Sequence, residues 1–184
     1  MKKRGSVLLL AVLLVVGLAA CGGRNAVPDF DDWGTHQLGH VTVRVPTDQI
    51  EEITEVEEGI EMVLVESTVN GASVAVTQMV DFVQFLREFG LADDAIMSAA
   101  LQGSLHGGIT EFLAGAGGAI HGETEGERNG VRYFALYGVT DLNDAYFEAR
   151  AFAYGNDFYI VKLFWNDASA DIVEPFFQSV RFGR

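Results

Sequence analysis

The sequence predicts an α+β fold, an antiparallel β-sheet built from hairpins and covered by helices as an α/β/α sandwich. Two observations carry that prediction. The turn signals Asn70-Gly71, Asn129-Gly130 and Gly155-Asn156-Asp157 each separate two strand-like runs, which makes three hairpins. Apolar residues recur at helical spacing between and after those hairpins, at positions 82–89, 93–108 and 172–180. A single domain is expected, because 164 of the 184 residues remain once the first 20 are set aside.

Those first 20 residues are read as a targeting segment. Lys2, Lys3 and Arg4 precede a continuous apolar run from Val7 to Leu18, which is shorter than the roughly 20 residues that span a bilayer as a helix. The run ends in Leu18-Ala19-Ala20-Cys21, followed by Gly22-Gly23. This resembles the lipobox of bacterial lipoproteins. The resemblance implies a signal peptide at residues 1–20, cleavage before Cys21, and Cys21 as the acylated first residue of the mature chain. Several acyl chains hold a protein stably where a single one holds only marginally. The expected location is the bacterial cell envelope, with the folded domain outside the cytoplasm and the membrane contacted through the lipid on Cys21. Gly22 is not aspartate, which by resemblance to the enterobacterial sorting rule favours the outer membrane where the organism has one.

Composition excludes more than it identifies. The signal segment holds three of the 12 basic residues and none of the 26 acidic ones, leaving nine against 26, a formal charge of −17. So acidic a domain repels nucleic acid and anionic lipid headgroups, and no nucleic-acid partner is expected. A cationic partner, divalent metal ions, simple solubility and salt adaptation all remain open. Lys162 is the sole lysine outside the signal segment, and Cys21 is the sole cysteine, so the folded domain holds no disulfide. Its stability is expected to come from its core.

Residues 21–38 read as the lipidated N-terminus and a flexible tether, with Phe30 and Trp33 pinning its end to a domain spanning residues 39–184. Val41, Val43 and Val45 alternate with polar residues in a half-buried strand that Pro46 stops. Positions 48–61 hold seven acidic residues and no basic one, and read as an acidic loop or a short helix carrying Ile50 and Ile53. The Asn70-Gly71 turn then pairs Val69 with Ala72 and sets Val65 opposite Val76. Phe82, Phe85, Leu86 and Phe89 form the apolar face of a short helix ended by Gly90. Asp93-Asp94 begins a second helix, whose Ile96, Ala99, Ala100 and Gly103 would pack closely before Gly107-Gly108 ends it. The stretch from Ala114 to Gly118 reads as a flexible connection.

In the hairpin around Asn129-Gly130, Glu127 faces Arg132. For the last hairpin a three-residue loop is expected, with Tyr154 opposite Phe158. That register puts Phe147, Ala149, Ala151 and Ala153 on one face with Tyr159, Val161, Leu163 and Trp165, beneath a closing helix that contains Ile172, Val173, Phe176, Phe177 and Val180. Tyr146, Phe152, Tyr154, Phe158 and Phe164 fall on the other face, as core or as a partner-binding patch. Asp171 with Glu174 resembles a capping box, which would place Pro175 in the first turn of that helix.

The strand Gly39-His40-Val41-Thr42-Val43-Arg44-Val45-Pro46, a mid-chain helix and the hairpin ending Tyr154-Gly155-Asn156-Asp157-Phe158-Tyr159 lead to the terminal Phe176-Phe177-Gln178-Ser179-Val180-Arg181-Phe182. Together these resemble the PsbP-like superfamily over about residues 39–182. Its members include an extrinsic photosystem II subunit, a nuclear-transport factor that binds a small GTPase, and many bacterial lipoproteins of unknown role. The resemblance implies the fold and matches no binding residue of either characterised relative.

Candidate chemistry thins out on inspection. Ser104 and His106 diverge by about 200° on a helix and cannot pair as nucleophile and base. His36 and His40 have a metal-like spacing only if helical, and they fall in a loop entering a strand. His121 and Glu123 share a strand face. The acidic stretch at 48–61 lacks the order and the turn glycine of a calcium loop, and the glycines at 115–118 precede a strand, where phosphate loops follow one. No catalytic residue, metal ligand or cofactor is therefore assigned, and the chain is expected not to be an enzyme. Two readings follow. The first is an envelope lipoprotein that binds another protein or stabilises an assembly. The alternative is a small-ligand or divalent-metal binder that uses its acidic surface.

Overall fold

The structure, a computed structural model, describes residues 29–183 apart from 48, 58, 70 and 92. The signal segment, Cys21 and residues 22–28 lie outside the described residues. The fold is α+β and antiparallel, as its turn signals predict. Ten strands and three α-helices are arranged in three layers among the described residues.

The central layer is a seven-stranded antiparallel sheet in the order β3-β4-β5-β9-β8-β7-β6. Its strands are β3 (Ile50–Glu57), β4 (Ile60–Val69), β5 (Ala72–Met79), β6 (Ala119–Arg128), β7 (Val131–Thr140), β8 (Ala145–Tyr154) and β9 (Asp157–Trp165). The first two hairpin registers are as the turns dictate. Val69 faces Ala72, Val65 faces Val76, and Glu127 faces Arg132. Most of the described part of the acidic stretch is strand and none of it is helix. It forms edge strand β3 and the start of β4, and charge along an edge strand blocks pairing with another chain.

A second, three-stranded sheet has the order β1-β2-β10, formed by β1 (Gly34–Leu38), β2 (Val41–Val45) and β10 (Arg181–Phe182). Residues 34–38, expected in the tether, thus belong to the fold. Their strand pairs Leu38 with Val41, and Trp33 just before it is 4% exposed with its ring 6.2 Å from Phe176. This small sheet and the closing helix cover one face of the large sheet. Their shared core includes Val43, Val76, Val161, Leu163, Phe176 and Phe177.

The opposite face is covered by one long helix from Asp94 to Ala116, well past the expected stop at Gly107-Gly108. Asp93 caps it by accepting from the Ile96 amide at 2.8 Å. The buried stripe is Leu101, Leu105, Ile109 and Phe112, and its packing on β7 and β8 carries the helix through its glycines. Gly117 (φ 75°) and Gly118 (φ 115°) end it, a backbone course that side chains resist. Gly103, Gly107 and Gly115 serve no close packing, because a methyl group at each would meet nothing within 4 Å. Gly103→Ala and Gly107→Ala are therefore expected each to stabilise the fold by about 0.5–1 kcal/mol, read from urea midpoints. A loss of stability in both would contradict this placement.

The register of the last hairpin is one residue away from the expected one. Tyr154 faces Asp157 across a two-residue turn, so Ala151 faces Ile160 and Ala149 faces Lys162. A one-residue slip turns a whole strand over. Phe147, Ala149 and Ala151 consequently lie with Phe158, Ile160 and Phe164 under the long helix, while Tyr159, Val161 and Leu163 lie under the closing helix as expected. That closing helix runs Val173–Ser179 after a 3-10 turn at Asp167–Ile172. Pro175 is in its first turn, but Asp171 supplies no capping box. The cap position is Ile172, with no side-chain hydrogen bond.

Candidate functional site

The hairpin turn at Gly155-Asn156 is the foundation of an exposed apolar feature. A short helix, Phe82–Glu88, is fastened to it through Asn156 and Asp157. The Val83 amide donates to the Asn156 carbonyl at 2.8 Å, and the Arg87 guanidinium donates to Asn156 Oδ1 at 2.9 Å. The buried Asp157 carboxylate accepts the Asp81 amide at 2.9 Å, Gln78 Nε2 at 2.7 Å and the Tyr159 hydroxyl at 3.0 Å. The Tyr159 oxygen accepts in turn from the His40 amide at 3.0 Å, tying in the β1–β2 turn. Burial foremost pushes the Tyr159 phenol above its ordinary pKa, so it stays a neutral donor to Asp157.

These fastenings decide which face of the short helix is buried. Val83 and Leu86 face inward and Phe82 packs its ring 5.6 Å from that of Phe158, while Phe85 and Phe89 of the expected apolar face point out. Phe85 is 42% and Phe89 65% exposed, with ring centroids 4.8 Å apart. Gly90 (φ 71°) closes the helix with a Schellman turn in which its own amide bonds Arg87 O and the Leu91 amide bonds Leu86 O. Leu91, itself exposed, extends the ridge to three apolar side chains.

Beside this ridge opens a groove of about 770 Å³. Arg87, Asp94 and Met97 form its helical wall, Glu125, Glu127 and Arg132 its hairpin wall, and Tyr154 and Gly155 part of its floor. Both cationic and anionic groups line it, and among the described lining residues there is no histidine or lysine.

The residues considered for chemistry are dispersed. His106 Nε2 lies 2.9 Å from Glu123 Oε2 and its ring 5.8 Å from Phe134, and no hydrogen bond joins it to Ser104 among the described residues. Glu123 is therefore matched with His106 and not with His121, where a bulge between Ile120 and Gly122 breaks the strand's alternation. His36 sits in β1, 3.5 Å from Glu52, while His40 sits in the following turn against Tyr154. On β3 the carboxylates of Glu51 and Glu52 point to opposite sheet faces, since successive side chains alternate. No cluster of three or more potential metal ligands occurs among the described residues, and no described helix is long and apolar enough to cross a membrane. Cys21 lies outside them.

One pair escapes sequence reasoning. Lys162, 3% exposed, lies in register with Ala75 and, beyond it, Glu66. Burial pushes the ammonium down to about 8, partly opposed by Glu66. Burial likewise pushes the Glu66 carboxyl up to about 7, opposed by Lys162 and reinforced by Glu51. The signal was present in the sequence, since Lys162 interrupts the apolar run from Phe158 to Trp165.

No protein-family model matches the chain, and no curated protein sequence does. Among solved structures, the cyanobacterial PsbP of Synechocystis sp. PCC 6803 aligns with a TM-score of 0.44 at 12% identity, covering 88% of this chain and 96% of that one. A Pseudomonas aeruginosa protein of unknown function, described as a putative regulator, aligns with a TM-score of 0.40 at 12% identity, over 79% and 91% of the two chains. Neither likeness assigns this chain a role.

Proposed function

We propose that this chain is a non-enzymatic, lipid-anchored lipoprotein of the bacterial cell envelope whose folded domain binds a partner protein. The observation that carries the reading is the ridge of Phe85, Phe89 and Leu91, held rigidly by Asn156 and Asp157 beside the groove. Contiguous exposed apolar side chains rimmed by charge mark interaction surfaces more often than they occur idly. The anchoring half rests on Leu18-Ala19-Ala20-Cys21 behind a basic, apolar leader. The divergent carboxylates of β3 favour this reading over a divalent-metal binder.

Two experiments test the two halves. Cys21→Ser is expected to abolish labelling by palmitate and retention in the membrane fraction, and a labelled Cys21→Ser protein would contradict the anchor. A photoreactive amino acid in place of Phe89 is expected to give one discrete protein adduct in the native envelope, absent when it replaces the exposed Thr110 of the long helix. Identical adduct patterns from both positions would contradict the ridge.

A further inference from the structure

In a chain with 26 acidic and 12 basic residues, an arginine finds a carboxylate easily. Arg128, Arg150 and Arg181 instead gather with one another where β6, β8 and β10 approach the end of the closing helix. Arg150 is engaged by its neighbours. Its Nε donates to Glu148 Oε1 at 2.7 Å, and its guanidinium carbon lies 3.9 Å from the Phe177 ring centre and 4.8 Å from that of Tyr133.

Arg128 and Arg181 are in a different position. Both donate to the same acceptor, the backbone oxygen of Gln178, Arg128 through a terminal nitrogen at 2.6 Å. One cationic donor suffices to satisfy a carbonyl in the last turn of a helix. The second adds like-charge repulsion, and neither arginine has a carboxylate within 4.0 Å among the described residues. The Glu174 carboxylate is held by the Gln178 side-chain amide at 2.5 Å, and that of Glu148 by Arg150. Arg128 Nε is buried and has no hydrogen-bond partner, although it is a fixed donor. Burial, then the charges of Arg181 and Arg150, pull the Arg128 pKa below its ordinary value, partly opposed by Glu174 and Tyr133. Beside Arg128 and Arg150 a hollow of about 20 Å³ is walled by Phe152, Phe177 and Phe182.

We propose that Arg128 and Arg181 form an anion site that takes a small oxyanion, a carboxylate or a phosphate group, across their two guanidinium forks. The planar fork matches both groups, and such charge-assisted bonds are about twice as strong as neutral ones. A water molecule would satisfy Arg128 Nε but would leave the two positive charges facing each other. An oxyanion bridging the terminal nitrogens of both would offset that repulsion, while the hollow beside Arg128 has the size of one water. The site is separate from the exposed ridge and does not depend on its role.

The test uses the full-length chain in a neutral detergent, with thermal melting followed in inorganic phosphate, in acetate and in sodium chloride at matched ionic strength. The expected result is a saturable rise in Tm with an oxyanion beyond that in chloride, lost in Arg181→Gln and in Arg128→Gln. Arg181 is exposed, so its variant carries the test if Arg128→Gln fails to fold. A response to phosphate alone identifies a phosphate-bearing ligand, and a response to acetate as well identifies a carboxylate. Equal melting in all three salts, or a rise undiminished in Arg181→Gln, would overturn the proposal.

Discussion

Phe176→Ala is expected to lower stability by about 3–5 kcal/mol, a large share of the roughly 5–15 kcal/mol that holds a domain together. The ring is 0% exposed, 4.9 Å from Phe177 and 6.2 Å from Trp33, where the closing helix, the small sheet and the large sheet meet. The layers around it are rigid sheets, so the space left by the ring cannot readily collapse. Phe85→Ala removes the same ring from a 42% exposed site and is expected to cost about 1 kcal/mol or less. Urea midpoints of the two variants compare them. A loss for Phe176→Ala no greater than that for Phe85→Ala would mean that the closing helix does not lie where described.

The second large effect concerns Lys162 and Glu66. For Lys162 the folded pKa is about 8 against an ordinary 10.5. Between these values the unfolded chain holds a proton that the folded one has released, so stability rises with pH across that window. Below pH 8 the buried ammonium costs about 3 kcal/mol relative to high pH, a shift of one unit being worth about 1.4 kcal/mol. For Glu66 the raised pKa has the opposite sense. Its contribution is present below the ordinary 4.5 and is lost as pH rises through about 7. The two together place a minimum of stability near neutral pH. Lys162 is buried and Glu66 half-buried, and replacing buried charges by well-packed apolar groups often stabilises by about 1–4 kcal/mol. Lys162→Met combined with Glu66→Gln is therefore expected to raise the denaturation midpoint at pH 7.5. Relative to the wild type, it should also remove the rise between pH 8 and 10.5. A double variant less stable than wild type, with the same pH profile, would contradict the buried placement of the pair.

Much of the architecture was legible because turns carry local information. Asn129-Gly130 and the residues around Gly71 fix two registers without help from the rest of the chain. The last turn was ambiguous, since Gly155-Asn156-Asp157 accommodates a loop of two or three residues. The choice of two lets Asp157 enter β9 and reach Gln78, Asp81 and Tyr159, which are contacts invisible to local spacing. For the long helix, tertiary packing of Leu105, Ile109 and Phe112 outweighed the glycines that suggested a stop. Strand β1 has little periodicity of its own and forms because β2 offers it an edge. The outward ridge was hidden because Phe82, Phe85, Leu86 and Phe89 look like a core stripe. Only the anchoring of Val83 and Arg87 on Asn156 shows which side is free.

The central claim is that this ridge exists for a partner and not for the fold. Phe85→Ser combined with Phe89→Ser separates the two, because exposed substitutions leave stability within about 1 kcal/mol. The measurement is the size of the native complex containing the lipidated chain, resolved by blue native electrophoresis of mildly solubilised envelopes. Wild type is expected to migrate in a complex larger than the chain alone, and the double variant, still folded with a melting temperature within about 4 °C of wild type, to migrate as the free chain. The same large complex for both proteins would contradict the account.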